Sequence, residues 1–83
     1  MSIVSQKKLV KYQKALGKRV KSLRKERDMS QLDLATLCDL EKTSISRIEN
    51  GRANITLKTA ILLSESLNIK TYELFKFEDE IKQ

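Results

Sequence analysis

Leu9, Tyr12, Leu16, Val20 and Leu23 recur at steps of three and four residues, the spacing of one face of an α-helix. At about 100° per residue, Lys7, Lys11, Lys14, Lys18, Lys21 and Lys25 fall on the opposite face. The pattern predicts an amphipathic helix over about Gln6–Arg27 with a lysine back. Gly17 costs about 1 kcal/mol relative to Ala in a helix, which leaves open one bent helix or two pieces. Ser30 is a good N-cap, and Asp33 stands where a capping box places its reciprocal acid, although Glu or Gln is usual there. A second helix follows over about Gln31–Cys38, with Leu32, Leu34, Ala35, Leu37 and Cys38 apolar. The break Asp39-Leu40-Glu41 is very short, and Asp tolerates the left-handed conformation better than most non-glycine residues.

The third helix, about Lys42–Asn50, has only Ile45 and Ile48 as apolar positions, and Gly51 is a natural C-terminal cap. Thr56 caps a fourth helix over about Leu57–Leu67. It is apolar nearly all round, which requires burial or a second partner. Asn68 ends it, and Thr71 is expected to cap a short fifth helix carrying Tyr72, Leu74 and Phe75. Lys76 to Gln83 mixes charge with Phe77 and Ile81, and chain ends of this kind fray. The expected class is all-α.

Composition narrows the chemistry. Eighty-three residues, 40% of them hydrophobic, suit one small domain with a single modest core. With no His and one Cys, an intrachain disulfide, a structural zinc site and a Cys–His or Ser–His pair are excluded. Asp33, Asp39, Glu41 and Glu49 are separate acids with no metal motif, so neither an enzyme nor a cofactor or metal site is expected. No apolar run approaches the roughly 20 residues that cross a bilayer. The start MSIVSQKK has no apolar signal core, so a cytoplasmic chain is expected.

The net charge of +6 is uneven: residues 1–30 carry ten basic and two acidic side chains, +8, against −2 over 31–50 and 0 over 51–83. A basic third beside a neutral remainder suggests an anionic partner, either nucleic acid or membrane.

Two short helices joined by a tight turn, the second mostly polar, describe a helix-turn-helix. Leu34, Cys38, Leu40, Ile45 and Ile48 are apolar where the motif must pack on its own body, and Ala35 is small where the two helices cross. Lys42, Thr43, Ser46 and Arg47 remain on the outer face of the third helix, donors of suitable length for base edges in a major groove. Ser44 has two readings, contact with DNA or shaping the helix start. Gln31 opens the second helix, where its amide and the free N–H groups of the helix end can reach a phosphate.

The run SQLDLA…ISRIENGR, followed by a helix ending SLNI and then YELF, resembles the phage repressor and Cro family of helix-turn-helix domains over about residues 16–75. The resemblance implies a compact five-helix domain of the lambda-repressor type, with the helix-turn-helix formed by helices 2 and 3. Residues 1–15 would then be a helical N-terminal extension and 76–83 a C-terminal tail. It implies a sequence-specific transcriptional regulator of bacterial or phage origin that binds double-stranded DNA as a homodimer, a repressor reading an inverted repeat through its third helix. By motif position, Gln31 contacts phosphate, with the outermost base as its second reading, Lys42, Thr43, Ser46 and Arg47 face bases, and Asn50 and Arg52 hold the backbone at the far end. It also implies a structural ion pair between Arg24 and Glu49.

The NITLKT run resembles restriction–modification controller proteins and short phage-type repressors. The chain has no room for an effector-sensing module, so no small-molecule effector is expected. Asp39 and Asp28 stand where the family commonly has Gly, and Glu41 where it has a small N-cap. Leu62, where the family tends to be polar, is either an ordinary exposed leucine or part of a dimer surface with Leu63, Tyr72 or Phe75. Tyr12 and Leu9 are alternative covers for that surface. The competing function is an antitoxin or protein-interaction module that uses the same fold chiefly to hold a partner protein. A membrane-lying peptide over residues 7–27 is disfavoured by the ordered helix-turn-helix.

Overall fold

The computed structural model describes residues 4–77, and within them four α-helices and a closing 3₁₀ helix follow one another without a strand. They are α1 (Gln6–Glu26), α2 (Gln31–Cys38), α3 (Lys42–Glu49), α4 (Leu57–Ser66) and the 3₁₀ helix Thr71–Phe75. Residues 78–83, Ile81 included, and residues 1–3 lie outside the described part. The all-α class is the expected one, and α2 has the expected bounds. The other three α-helices each stop one residue short of expectation.

Short polar side chains start the helices. Ser5, Ser30 and Thr56 each accept a hydrogen bond from the backbone N–H three residues on, at 3.0, 2.9 and 3.1 Å. At Ser30 the capping box closes, because the Ser30 N–H also donates to Asp33 Oδ2 at 2.8 Å. That bond, followed by the Ser30 hydroxyl, holds the Asp33 carboxyl below its ordinary value.

A carboxylate stabilised in this way favours the folded state above its unfolded pKa of about 3.9 and loses the effect as pH falls through the lower folded value. Asp33→Asn is therefore expected to melt below the parent at pH 7, with the gap closing as the pH is taken below about 4. Thermal melts across that range would read it; a gap that stays constant in acid would rule the charge out as its cause.

All four α-helices end alike. Asp28, Asp39, Gly51 and Asn68 take φ of 55, 56, 72 and 58°. The next N–H then reaches back five residues: Met29 to the Arg24 carbonyl, Leu40 to Ala35, Arg52 to Arg47 and Ile69 to Ser64, at 2.9–3.2 Å. This is the Schellman arrangement. Its usual apolar residue after the left-handed position is Met29, Leu40 or Ile69, each packed against the core. The aspartates and Asn68 do at three helix ends what glycine usually does.

The last element differs from expectation. It is a 3₁₀ helix capped at Lys70, and Thr71 is its first residue. Glu73 accounts for the shift, because its carboxylate accepts from the Lys70 N–H at 2.9 Å. Five residues are also too few for a stable α-helix, and the tighter 3₁₀ turn suits them.

Leu16, Val20 and Leu23 of α1 meet Leu34, Ala35 and Cys38 of α2, Ile45 and Ile48 of α3, Ala60 and Leu63 of α4, then Leu67, Leu74 and Phe77 in one core. The six lysines of the α1 stripe are all exposed, and α1 runs through Gly17 as one helix. Cys38 is fully buried; burial pushes its thiol pKa up, and Sγ lies 3.3 Å from Ser66 Oγ. Tyr12 stands edge-on to Phe77, with ring centroids 6.1 Å apart.

One expected surface position is corrected: Leu63 is fully buried and presents nothing to a second copy. Leu62 is half-buried, while Tyr72 and Phe75 are exposed. On α4 the outward apolar residues are Leu57, 74% exposed, and Ile61, 42%. Among the described residues no helix is long and apolar enough to cross a membrane.

Candidate nucleic-acid interface

The polar face of α3 follows from where Ile45 and Ile48 point. These two side chains and Glu49 are buried, which turns Lys42, Thr43 and Arg47 outward and leaves Ser46 half-buried beside them. Asn50 and Arg52 are exposed just beyond the helix. Ser44 is half-buried and lines a shallow groove with Leu40, Arg47, Ile48, Ala53 and Ile55. The amino end of α3 has no acid in its first turn, and Glu41, its N-cap, makes no side-chain capping bond. Lys42 therefore sits at the positive end of the helix dipole, an arrangement that costs stability.

The outward groups are only loosely engaged with the chain itself. Arg47 Nη2 reaches the Arg52 carbonyl oxygen at 3.4 Å, and Asn50 Nδ2 reaches Ser46 Oγ at 3.4 Å. Both are longer than the usual 2.7–3.2 Å range, about, for such bonds. They can be exchanged for stronger partners at small cost.

Behind the face the opposite holds. Arg24 Nε donates to Glu49 Oε2 at 2.6 Å and Nη2 to Oε1 at 3.0 Å, a fork across two nearly buried side chains. The Glu49 bond raises the Arg24 pKa above its already high value. Arg24 Nη1 also donates to the Met29 carbonyl at 2.7 Å, and Gln31 Nε2 to Glu49 Oε1 at 3.0 Å. One carboxylate thus joins the end of α3 to α1 and to the first residue of α2, while Arg24 adds the α1–α2 turn. The Arg24–Glu49 pair is the one expected from the family resemblance.

The structure adds two features not foreseen from sequence. Gln31, expected to contact phosphate, has one amide N–H on Glu49; its second N–H is the one left for a phosphate. Gly17 is the other. A Cβ there would stand 2.5 Å from the carbonyl oxygens of both Ile48 and Glu49, so α1 lies directly on the backbone of α3. Only the presence of a glycine inside a strong helical pattern hinted at this.

A short helix, a left-handed turn at Asp39 and a second short helix with cations and hydroxyls outward, locked from behind, define a helix-turn-helix DNA-binding domain. The chain belongs to the helix-turn-helix family of DNA-binding transcription regulators, whose profile matches residues 20–74. It is 43% identical over 60 residues to the control protein C.MunI of Mycoplasma sp., covering 71% of this chain and 81% of that one. It is 30% identical over 59 residues to the antitoxin PezA of Streptococcus pneumoniae; the match covers 71% of this chain but only 37% of that relative. The solved restriction–modification controller protein C.AhdI from Aeromonas hydrophila superposes with a TM-score of 0.73 at 32% identity, covering 75% of this chain and 94% of that one.

Proposed function

We propose that the protein is a homodimeric repressor that reads an inverted-repeat operator through α3, in the manner of a restriction–modification controller. The observation that carries this reading is the contrast across α3. Its outer groups, Lys42, Thr43, Ser46 and Arg47, are held by weak bonds or none, while its inner side is fixed by the Arg24–Glu49–Gln31 cluster. A helix that is rigidly mounted and loosely self-bonded outside can exchange its own contacts for base edges without reorganising.

In this reading Lys42, Thr43, Ser46 and Arg47 face bases. The free Gln31 N–H, Asn50 and Arg52 hold phosphates. Tyr72 and Phe75, together with the half-buried Leu62, form the contact between copies. Two copies would set their α3 helices about 34 Å apart, one turn of the duplex.

Selection from a random DNA library at two salt concentrations tests the proposal, with an inverted repeat as the expected product. On the recovered site, Arg47→Ala is expected to cost about 1–3 kcal/mol and relax the preference at one base pair. Arg52→Ala is expected to weaken all sequences alike and lower the salt slope by about 1. Equal loss on specific and random DNA for Arg47→Ala would remove its base-reading role.

A second reading is favoured by the outward Leu57 and Ile61 of α4, together with the likeness to an antitoxin: a module that chiefly holds a partner protein. There, biological function would survive Arg47→Ala.

A further inference from the structure

We propose that the first half of α1 is a second DNA-contacting surface, in which Lys11 and Lys14, with Lys7 one turn or two further out, grip the phosphate backbone beside the end of α3. The proposal rests on α3 being the DNA-facing helix. Two contacts seat this half of α1 against the α3–α4 connection. Gln13 Nε2 donates to Asn54 Oδ1 at 2.9 Å. A Cβ at Gly51 would stand 2.8 Å from Lys14 Cα and Cγ, so Lys14 lies on the residue that closes α3 and precedes Arg52.

The cations of α1 divide into two sets. Its inward arginines are committed to the fold. Arg19 donates to the Glu73 carbonyl at 3.1 and 2.9 Å, and Arg24 binds Glu49 at 2.6 Å. Lys7, Lys11 and Lys14 are exposed on one stripe. Among the described residues the ion pairs are Arg24–Glu49 and Arg27–Glu26, so no described acid neutralises them. The first acidic residue of the whole chain is Glu26.

At a rise of about 1.5 Å per residue, Lys7 to Lys14 covers about 10 Å, three base pairs' worth at about 3.4 Å each. In this proposal the stripe continues outward, from the Lys14–Gly51 contact, the phosphate track assigned to Asn50 and Arg52. Such a row of ammonium groups, with no fork to fix a base, suits the backbone of the duplex flanking the site that α3 reads, whatever its sequence.

The test compares Lys11→Gln/Lys14→Gln with Lys70→Gln/Lys76→Gln, an equal loss of charge at exposed positions far along the chain. Binding is measured against salt on the selected duplex and on a random-sequence duplex of equal length, and also on vesicles of mixed phosphatidylserine and phosphatidylcholine. The expected result is a fall in salt slope of about 1.8 for the α1 variant, two contacts at about 0.9 each, on both duplexes and with unchanged melting. The control should leave the slope where it was.

Equal falls in the two variants would reduce the stripe to a long-range field and overturn the proposal, as would no fall in either. A loss confined to the vesicles would assign the stripe to a membrane surface and overturn it as well. Failure to select any operator, with the slope still falling on random DNA, would sink the operator reading and leave the α1 contact standing. A selected operator with an unmoved slope would sink the α1 contact alone.

Discussion

Glu49→Ala is expected to destabilise the protein by about 3–5 kcal/mol, the usual result of removing one partner from a buried ion pair. The Glu49 side chain is 2% exposed and that of Arg24 9%, so neither is served by bulk water. Without the carboxylate, Arg24 keeps only the Met29 carbonyl as a protein partner, and Gln31 Nε2 loses its acceptor. A domain of this size has about 5–15 kcal/mol of total stability, so the change removes a large share of it. Urea unfolding at neutral pH would show a lower midpoint with an unchanged slope.

The pair's net contribution is a different quantity. Arg24→Met combined with Glu49→Leu removes both charges together and should cost far less than the sum of the single changes, because no group is left buried and uncompensated. The double variant should nonetheless bind DNA poorly, since Gln31 and the end of α3 lose their common anchor. A Glu49→Ala cost below 1 kcal/mol would show that water reaches Arg24 freely and that the clamp is weak.

Gly17→Ala is expected to be the second largest effect, and its sign is the informative part. Helix propensity alone predicts a gain of about 1 kcal/mol, since Ala is the best helix former and Gly among the worst. The packing predicts a loss of about 1–3 kcal/mol or more. The new methyl would stand 2.5 Å from two carbonyl oxygens and 2.8 Å from the Glu49 carbonyl carbon, all backbone atoms of α3. Backbone cannot swing aside as a side-chain end can, so α1 and α3 would have to separate. Separation would lengthen the Arg24–Glu49 bonds and tilt the DNA-facing helix. Affinity for the selected operator should therefore fall more than the loss of stability explains. Denaturant unfolding and operator titration on the same variant separate the two, and a stabilised Gly17→Ala would refute the close approach.

Much of the fold is legible from local chemistry. Ser30 with Asp33 and Thr56 mark two helix starts, because a side-chain oxygen beside free N–H groups acts within one turn. Asp39, Gly51 and Asn68 mark the ends for the same local reason. The apolar spacing of Leu16, Val20 and Leu23 identifies the buried face of α1. The outward set on α3 follows from the two isoleucines that turn inward. The start of the short fifth element is less legible, because Glu73 accepts from the Lys70 N–H and moves the cap by one residue.

Other features depend on neighbours distant in the chain. Nearly every side of α4 is apolar, so its periodicity does not single out a buried face. Leu63 turns out to be core while Leu57 and Ile61 face outward, because the bodies of α2 and the 3₁₀ helix decide which side is covered. The +8 of residues 1–30 is one number in the sequence but two populations in space. Arg19, Arg24 and Arg27 fasten α1 to carbonyls and to Glu49, while the lysines remain in water.

The class of the protein, the ends of its α-helices to within one residue and the residues offered on α3 all follow from local chemistry. Those depend on side chains and backbone groups within a turn or two of each other. The reason Gly17 stands in α1, the placement of the Gln31 amide and the choice of Leu57 and Ile61 as the outward residues of α4 come instead from packing between helices. Each of these is a contact between elements, and its energy does not exist until the helices meet.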